Sequence, residues 1–285
     1  MLGMILLAAV AVFVAVIAVR TIRFTPKPQP AVSDETYELD EAAIVDALAK
    51  LVRCKTISYN DKSLEDDAEF QKLIDMLPEL YPNVFKVCSF DQLPDRALLF
   101  RWPGKNADAP SVMMAHYDVV PVNEASWDKP PFAGIIEDGI LWGRGTLDTK
   151  VTFNGILFAA DTLIAQGFTP ECDVYFAFSG GEEVNGKGAP NIVQYFVDHG
   201  IEPAMVVDEG GAVVENVFPG VKEPCGLIGI AEKGMMNVQY RAVSAGGHAS
   251  APKPHTPVGI LSKACTKVEN NPFKAHIEGP AAQMF

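Results

Sequence analysis

Residues 111–118 read Ser-Val-Met-Met-Ala-His-Tyr-Asp, a short apolar run that ends on an imidazole and a carboxylate. Such a run reads as a β-strand delivering polar groups at its exit. Asp148, the pair Glu182 and Glu183, and the pair Asp208 and Glu209 each follow another run of this kind. One acid at a strand end means little, since loops are commonly acidic. Five stations of carboxylate or imidazole at strand ends are what a sheet-borne metal site needs, and they make hydrolytic metal chemistry the leading reading.

The elements between these stations alternate. Asp40 is placed as the N-cap of a helix over residues 40–53, with Ile44, Ala47, Leu48 and Leu51 at helical spacing. A second helix is predicted over 64–77, ending before Pro78. Strands are predicted over 97–102, 111–115, 173–178 and 204–207. Helices are predicted over 149–166, capped by Asp148 and stopped by Gly167, and over 190–199, closed by Gly200. This order implies an α/β domain whose mostly parallel sheet carries helices on both faces. Ligands of open α/β sheets bind at the carboxyl ends of the strands, where the acids lie. After residue 225 the character changes. Residues 227–231 and 236–243 read as successive strands, followed by Gly246-Gly247-His248, and suggest the start of an α+β lid or dimerisation domain over 226–285. No internal repeat is evident.

Bulk composition narrows the partners. The chain has 285 residues, 36 acidic and 23 basic side chains and a formal charge of −13. That balance argues against nucleic acid, which wants a basic surface. Residues 1–19 carry no charge and are long enough to cross a bilayer as a helix. They lack the basic lead-in and small-residue cleavage site of a removed signal, so an uncleaved single-pass anchor over 1–24 is expected. Arg20, Arg23 and Lys27 follow it, and the side of the membrane stays open. A proline-rich linker over 25–39 comes next. The cysteines are 5, widely spaced and without CxxC pairing, neither a disulfide framework nor a cysteine zinc site.

Each station also has a plain structural explanation. His116 and Asp118, two apart on an extended chain, point to the same side, so the carboxylate can orient the imidazole; a surface histidine beside an unrelated aspartate would look the same. N-capping alone would account for Asp148. Gly143 and Gly145 lack the third glycine of a dinucleotide fingerprint. Adjacent Glu182 and Glu183 repel unless a cation or a shared proton relieves them, and one of them is then free to take a proton from water. Ser179 lacks the setting of a nucleophile elbow, against a serine hydrolase. Either Asp208 or Glu209 could be a ligand. His248, among glycines and small residues, is suited to stabilise an oxyanion.

Taken together, 116–121 (His-Tyr-Asp-Val-Val-Pro), 143–148 (Gly-Arg-Gly-Thr-Leu-Asp), 181–183 (Gly-Glu-Glu), 207–210 (Val-Asp-Glu-Gly) and 247–250 (Gly-His-Ala-Ser) resemble the co-catalytic zinc peptidases that include aminoacylase, carboxypeptidase S and the glutamate carboxypeptidases. The closest flavour is carboxypeptidase S, given residues 127–132 and the Asp-Glu-Gly-Gly run. The resemblance implies two Zn2+ ions, with Co2+ or Mn2+ as substitutes. His116 would bind one ion, Asp148 would bridge both, Glu183 would bind the second and Glu209 the first, with Asp208 as the fallback. Glu182 would be the general base, Asp118 would orient His116, and His248 would bind the substrate carboxylate or oxyanion, acting across a homodimer. The implied reaction is cleavage of an amide next to a free carboxylate in a small peptide or N-acyl amino acid. A further histidine ligand of the family has no counterpart here, so a longer protein and weak binding of the second ion are expected. The alternatives are the same chemistry run towards condensation, and a non-catalytic membrane-anchored binding protein with an incomplete metal site.

Overall fold

The computed structural model describes residues 2–24, 38–218, 220–232, 234–251, 253–277 and 279–284. The chain divides into two units, Met1–Val45 and Asp46–Phe285. In the first unit, α1 (Leu2–Arg23) is a continuous apolar helix of 22 residues with mean hydropathy 3.0, long and apolar enough to cross a membrane. The linker expected over 25–39 falls largely outside the described residues. Helix α2 (Glu41–Val52) starts where Asp40 accepts a hydrogen bond from the Ala43 N–H at 2.9 Å, as its capping role requires.

In the second unit, α3 (Asp67–Leu80) runs through Pro78 rather than stopping before it. The helix ends only 2 residues beyond the proline, where Tyr81 N–H bonds Leu77 O at 2.8 Å, so one lost main-chain bond is tolerated in a final turn. Pro82 then opens α4 (Pro82–Val87), and a hairpin of β1 (Ser89–Leu93) and β2 (Ala97–Trp102) follows. Next come β3 (Asn106–His116), the small ribbon β4 (Ile135–Glu137) and β5 (Ile140–Trp142), and α5 (Lys150–Ala165). The main alternation closes with β6 (Cys172–Ser179), α6 (Gly188–Asp198) and β7 (Met205–Val207).

The sheet has the order β1-β2-β6-β3-β7. β3 runs parallel to both β6 and β7, whereas β2 is antiparallel to both its neighbours. Four of the five strands therefore point the same way and β2 alone is reversed. Alternate residues of each strand feed opposite faces. Leu98, Phe100, Phe176 and Phe178 pack with Phe153 and Leu157 of α5 and with Leu73 and Leu77 of α3. Leu99, Val112, Tyr175 and Ala177 pack with Ile192 and Phe196 of α6. Both faces are thus covered by helix, as the strand and helix alternation required.

Beyond residue 207 the expectation and the structure part. β8 (Ala212–Val214) pairs with β9 (Cys225–Leu227), but the strands expected over 227–231 and 236–243 do not form among the described residues. Their apolar residues stay open, with Ile228 88% and Met236 76% exposed. Alternating apolar residues make a strand only where a partner strand and a covering layer receive them, and a lone two-stranded ribbon is marginal. Helix α7 (Pro257–Glu269) follows, capped by Thr256.

Phe153 is fully buried, its ring 4.4 Å from that of Phe178 and 5.8 Å from that of Tyr117, directly behind the loop after β3. Phe153→Ala should lower unfolding free energy by about 3–5 kcal/mol through lost burial and a cavity. Urea denaturation of the chain measures this, and a loss under about 1 kcal/mol would show that the core does not pack as described.

Candidate metal centre

The three parallel strands bring their carboxyl ends to one edge. Register pairs His116 with Ser179 and Met113 with Val207, so the loops after β3, β6 and β7 emerge side by side. The glycines after β6 are needed for closeness: a Cβ on Gly180 would lie 2.6 Å from the Tyr117 ring. The turn beyond it then presents Glu182 and Glu183 towards the end of β3.

His116 is the hub and is only 2% exposed. Its Nδ1–H donates to the Asp118 carbonyl at 3.0 Å, and the Asp118 carboxylate lies 3.4 Å from the same nitrogen. A carbonyl only accepts, so the proton sits on Nδ1 and Nε2 faces outward. There it meets Asp148 at 3.0 Å, Glu209 at 3.2 Å and Glu182 at 3.9 Å. Two sets of donor atoms, His116 with Asp148 and Glu183, and His116 with Glu182 and Glu209, each lie within 4.8 Å of one another, close enough to hold a metal ion.

Asp118 is fully buried and serves as the anchor. It accepts hydrogen bonds from Ser58 Oγ at 2.6 Å, from Glu182 N–H at 3.0 Å and from Glu183 N–H at 3.2 Å. Burial opposes its charge, but the hydrogen bonds from His116 and Ser58, the imidazolium charge and the Glu182 N–H outweigh it and hold its pKa below the ordinary carboxylate value. One carboxylate thereby fixes both the imidazole and the backbone of the glutamate turn.

The outer acids behave in the opposite way. Burial, with repulsion from the neighbouring carboxylates, raises Glu182, Glu183 and Glu209 above the ordinary value, despite the pull of His116. Burial also disfavours a charged His116, yet Asp118, Glu209 and Glu182 together push its pKa up to about 10. An imidazole ringed by acids that resist ionising is a site short of positive charge. Imidazole and carboxylate donors suit zinc, cobalt or manganese, so the residues present fit such an ion.

Most of the predicted residues come together, and two do not. Asp208 is exposed, lies outside both donor sets and accepts the Glu209 N–H at 2.9 Å instead, which favours Glu209 as the inward acid. His248 is exposed with its Nδ1 2.8 Å from Ser250 Oγ, and among the described residues it makes no contact with the cluster. Asp148 is not the cap of α5. Thr149 holds that position, because the Asp148 side chain is turned onto His116.

Two participants were not legible beforehand. Ser58 reaches Asp118 because residues 56–58 pair with Val119, through Val119 N–H to Thr56 O at 2.9 Å and Ser58 N–H to Val119 O at 3.1 Å. Lys150 is wholly buried and donates to Leu51 O at 3.0 Å and Cys54 O at 2.7 Å, tying the start of α5 to the end of α2. Burial lowers its pKa to about 8. Its position two residues after Asp148 was the only available signal.

Residues 112–284 match the model of peptidase family M20/M25/M40. The chain belongs to this family. It is 36% identical over 270 residues to the probable carboxypeptidase S-like 2 of Dictyostelium discoideum, covering 90% of this chain and 52% of that protein. It is 34% identical to the human N-fatty-acyl-amino acid synthase/hydrolase PM20D1 over 240 residues, 82% of this chain and 47% of that one. The solved M20 family metallo-carboxypeptidase Sso-CP2 from Sulfolobus solfataricus superposes with a TM-score of 0.48 at 23% identity, over 62% of this chain and 39% of that chain. This member thus spans about half the length of the curated relatives it matches. The resemblance to carboxypeptidase S read from the five motifs agrees with these relatives.

The proton on His116 sets a pH dependence. Its pKa rises from 6.5 to about 10, so its stabilising ion pairs are complete below pH 6.5 and are lost as pH climbs through about 10. A metal ion at Nε2 must displace that proton. Calorimetric zinc titration of metal-free protein at neutral pH in two buffers of different ionisation enthalpy should therefore show proton release, with affinity rising with pH. Zinc uptake with no release would contradict the described charge state.

Proposed function

We propose that this chain is part of a zinc-dependent amidohydrolase that cleaves an amide bond next to a free carboxylate, in small peptides or N-acyl amino acids. The supporting observation is the convergence of Asp148, Glu182 and Glu209 on one buried imidazole at the carboxyl ends of parallel strands. The names of the family relatives, a carboxypeptidase S-like protein and an N-fatty-acyl-amino acid synthase/hydrolase, point to the same bond type.

In this reading His116 and Glu209 would hold one ion and Glu183 a second, with Asp148 shared between them. Divalent ions held there would supply polarisation of the amide carbonyl and a lowered pKa for water. Glu182 stands off at 3.9 Å from Nε2, farther than Asp148 or Glu209, and burial raises its pKa. Both features suit a base that takes a proton from water and passes it to the leaving amine. Asp118 keeps the proton on Nδ1 and thereby leaves Nε2 free for a ligand role. His248 supports the oxyanion or the substrate carboxylate from the segment 226–285, which forms the lid and the homodimer contact. The word synthase in the human relative's name favours the reverse, condensing direction as a second use of the same site.

Glu182→Ala should lower hydrolysis of N-acyl amino acids by about 100-fold or more while zinc content stays near that of the unaltered chain. Assays of turnover beside metal analysis decide this, and surviving turnover would remove Glu182 from the role of base.

Helix α1 then serves as an uncleaved anchor that holds the hydrolase at a membrane surface. Alkaline carbonate extraction of expressing cells should leave the chain in the pellet with its N-terminal residues intact by mass spectrometry. A soluble product lacking residues 1–24 would identify a removed signal instead.

A further inference from the structure

The turn between β1 and β2 (Pro94-Asp95-Arg96) carries two consecutive residues at φ 59°, a backbone that glycine adopts freely and other residues do not. A non-glycine pair persists there only where its surroundings hold it. The Arg96 side chain shows what holds it. Its guanidinium forms ion pairs with Glu65 at 2.6 Å and with Asp67, and lies 3.7 Å from the centroid of the Phe70 ring. The Glu65 side chain is 1% exposed, which sets this contact apart from the surface pairs.

The turn touches each of the three segments that converge on Asp118. On the first, Glu65 also accepts the Tyr59 N–H at 2.9 Å, next to the Ser58 hydroxyl that donates to Asp118. On the second, the Tyr117 hydroxyl donates to Arg96 O at 2.8 Å, one residue before Asp118 itself. On the third, Asp95 accepts the Lys187 N–H just beyond the glutamate turn, and Asn191 Nδ2–H donates to Pro94 O at 2.9 Å. Gly180 closes the same side, since a Cβ there would lie 2.8 Å from Arg96 Cβ. A shift of any of these segments moves a donor of the carboxylate that keeps the His116 proton on Nδ1.

We propose that Arg96 is a positioning residue of the metal centre, an assignment resting on the reading of the His116 cluster as such a centre. Through Glu65, through its own carbonyl and through the turn it holds, Arg96 fixes the segments that set Asp118 and with it the aim of His116 Nε2. A planar guanidinium suits the post, because its fork serves Glu65 and Asp67 at once while its face rests on Phe70. A lysine keeps the charge but loses the fork. Partners that orient a ligating imidazole act strongly on metal affinity, and a residue that places such a partner acts on the ion without touching it.

The test is calorimetric zinc binding by the full chain in detergent, with near-ultraviolet circular dichroism confirming that each variant is folded. Arg96→Gln should weaken zinc binding about tenfold, and Arg96→Lys should lose less. Arg101→Gln is the control. It removes an ion pair with Asp173 near the start of β6, away from the end where Ser179 pairs with His116, and should leave the affinity unchanged. Ser58→Ala should weaken zinc binding directly at Asp118. Combined with Arg96→Gln it should lose less than the product of the two single losses, because both act through one carboxylate. The visible absorption of bound Co2+ should change in Arg96→Gln and not in Arg101→Gln, a difference that lowered stability alone would not produce. Unchanged zinc affinity and cobalt absorption in folded Arg96→Gln would overturn the assignment. So would equal weakening in Arg101→Gln, or losses that simply multiply in the double variant. If Arg96→Gln does not fold, Arg96→Lys decides by the same measurements. Absence of zinc binding in the unaltered chain would sink the metal centre and the positioning role together, whereas zinc binding indifferent to Arg96 would sink the role alone.

Discussion

A buried imidazole pressed between one committed carboxylate and several reluctant ones is the condition on which the remaining architecture turns. Asp118 stays charged behind His116 because four donors converge on it: the ring, a serine hydroxyl and two main-chain N–H groups. Asp148, Glu182 and Glu209 crowd the other nitrogen, and for the two glutamates burial and mutual repulsion oppose ionisation. The ion pairs to His116 offset only part of the repulsion in such a cluster. Like charges held this close cost free energy that the surrounding core must offset, and strain of that sort is tolerated where function needs it.

The offset comes from how the sheet is assembled. Parallel neighbours β3, β6 and β7 place three exit loops together, and aromatic packing of Tyr117, Phe153 and Phe178 sits immediately behind them. Lys150 adds a second brace by donating to the carbonyls of Leu51 and Cys54, so the Asp148 loop cannot drift from the segment that carries Ser58. A buried ammonium that donates to main-chain carbonyls is a demanding arrangement. It places a positive charge beneath an acid-rich surface, where attraction to the acids partly compensates its desolvation.

How much of this was legible follows from the range of the forces involved. Strand ends, the Asp40 cap and the helices on both faces follow from local periodicity, which a single chain displays. The acids of the site were visible because apolar runs preceded them. Asp148 was misplaced as a cap because capping is the local option, and only the approach of His116 from 32 residues away turns its side chain elsewhere. Ser58 and Lys150 act across 60 and 96 positions, through hydrogen bonds that leave no periodic trace. Residues 228–243 mislead for the converse reason. Their alternation suits a strand, but a strand exists only with a partner to accept its main-chain bonds, and β9 ends at Leu227.

The gradient of exposure across the cluster explains how one site can be both stiff and receptive. His116 is 2% exposed, Glu209 26%, Glu182 54% and Asp148 64% by side chain. The imidazole is therefore set by the core, and the carboxylates become progressively freer towards solvent. An ion arriving from solvent first meets acids that can still rotate, and only then the nitrogen that cannot. Were the order reversed, with acids buried and imidazole loose, the unpaired charges would have to be desolvated before any cation arrived, and the fold would bear several kcal/mol per ion without compensation. Keeping the imidazole inside and the outer acids at the rim lets the apo chain fold with a protonated His116 as its own counter-charge.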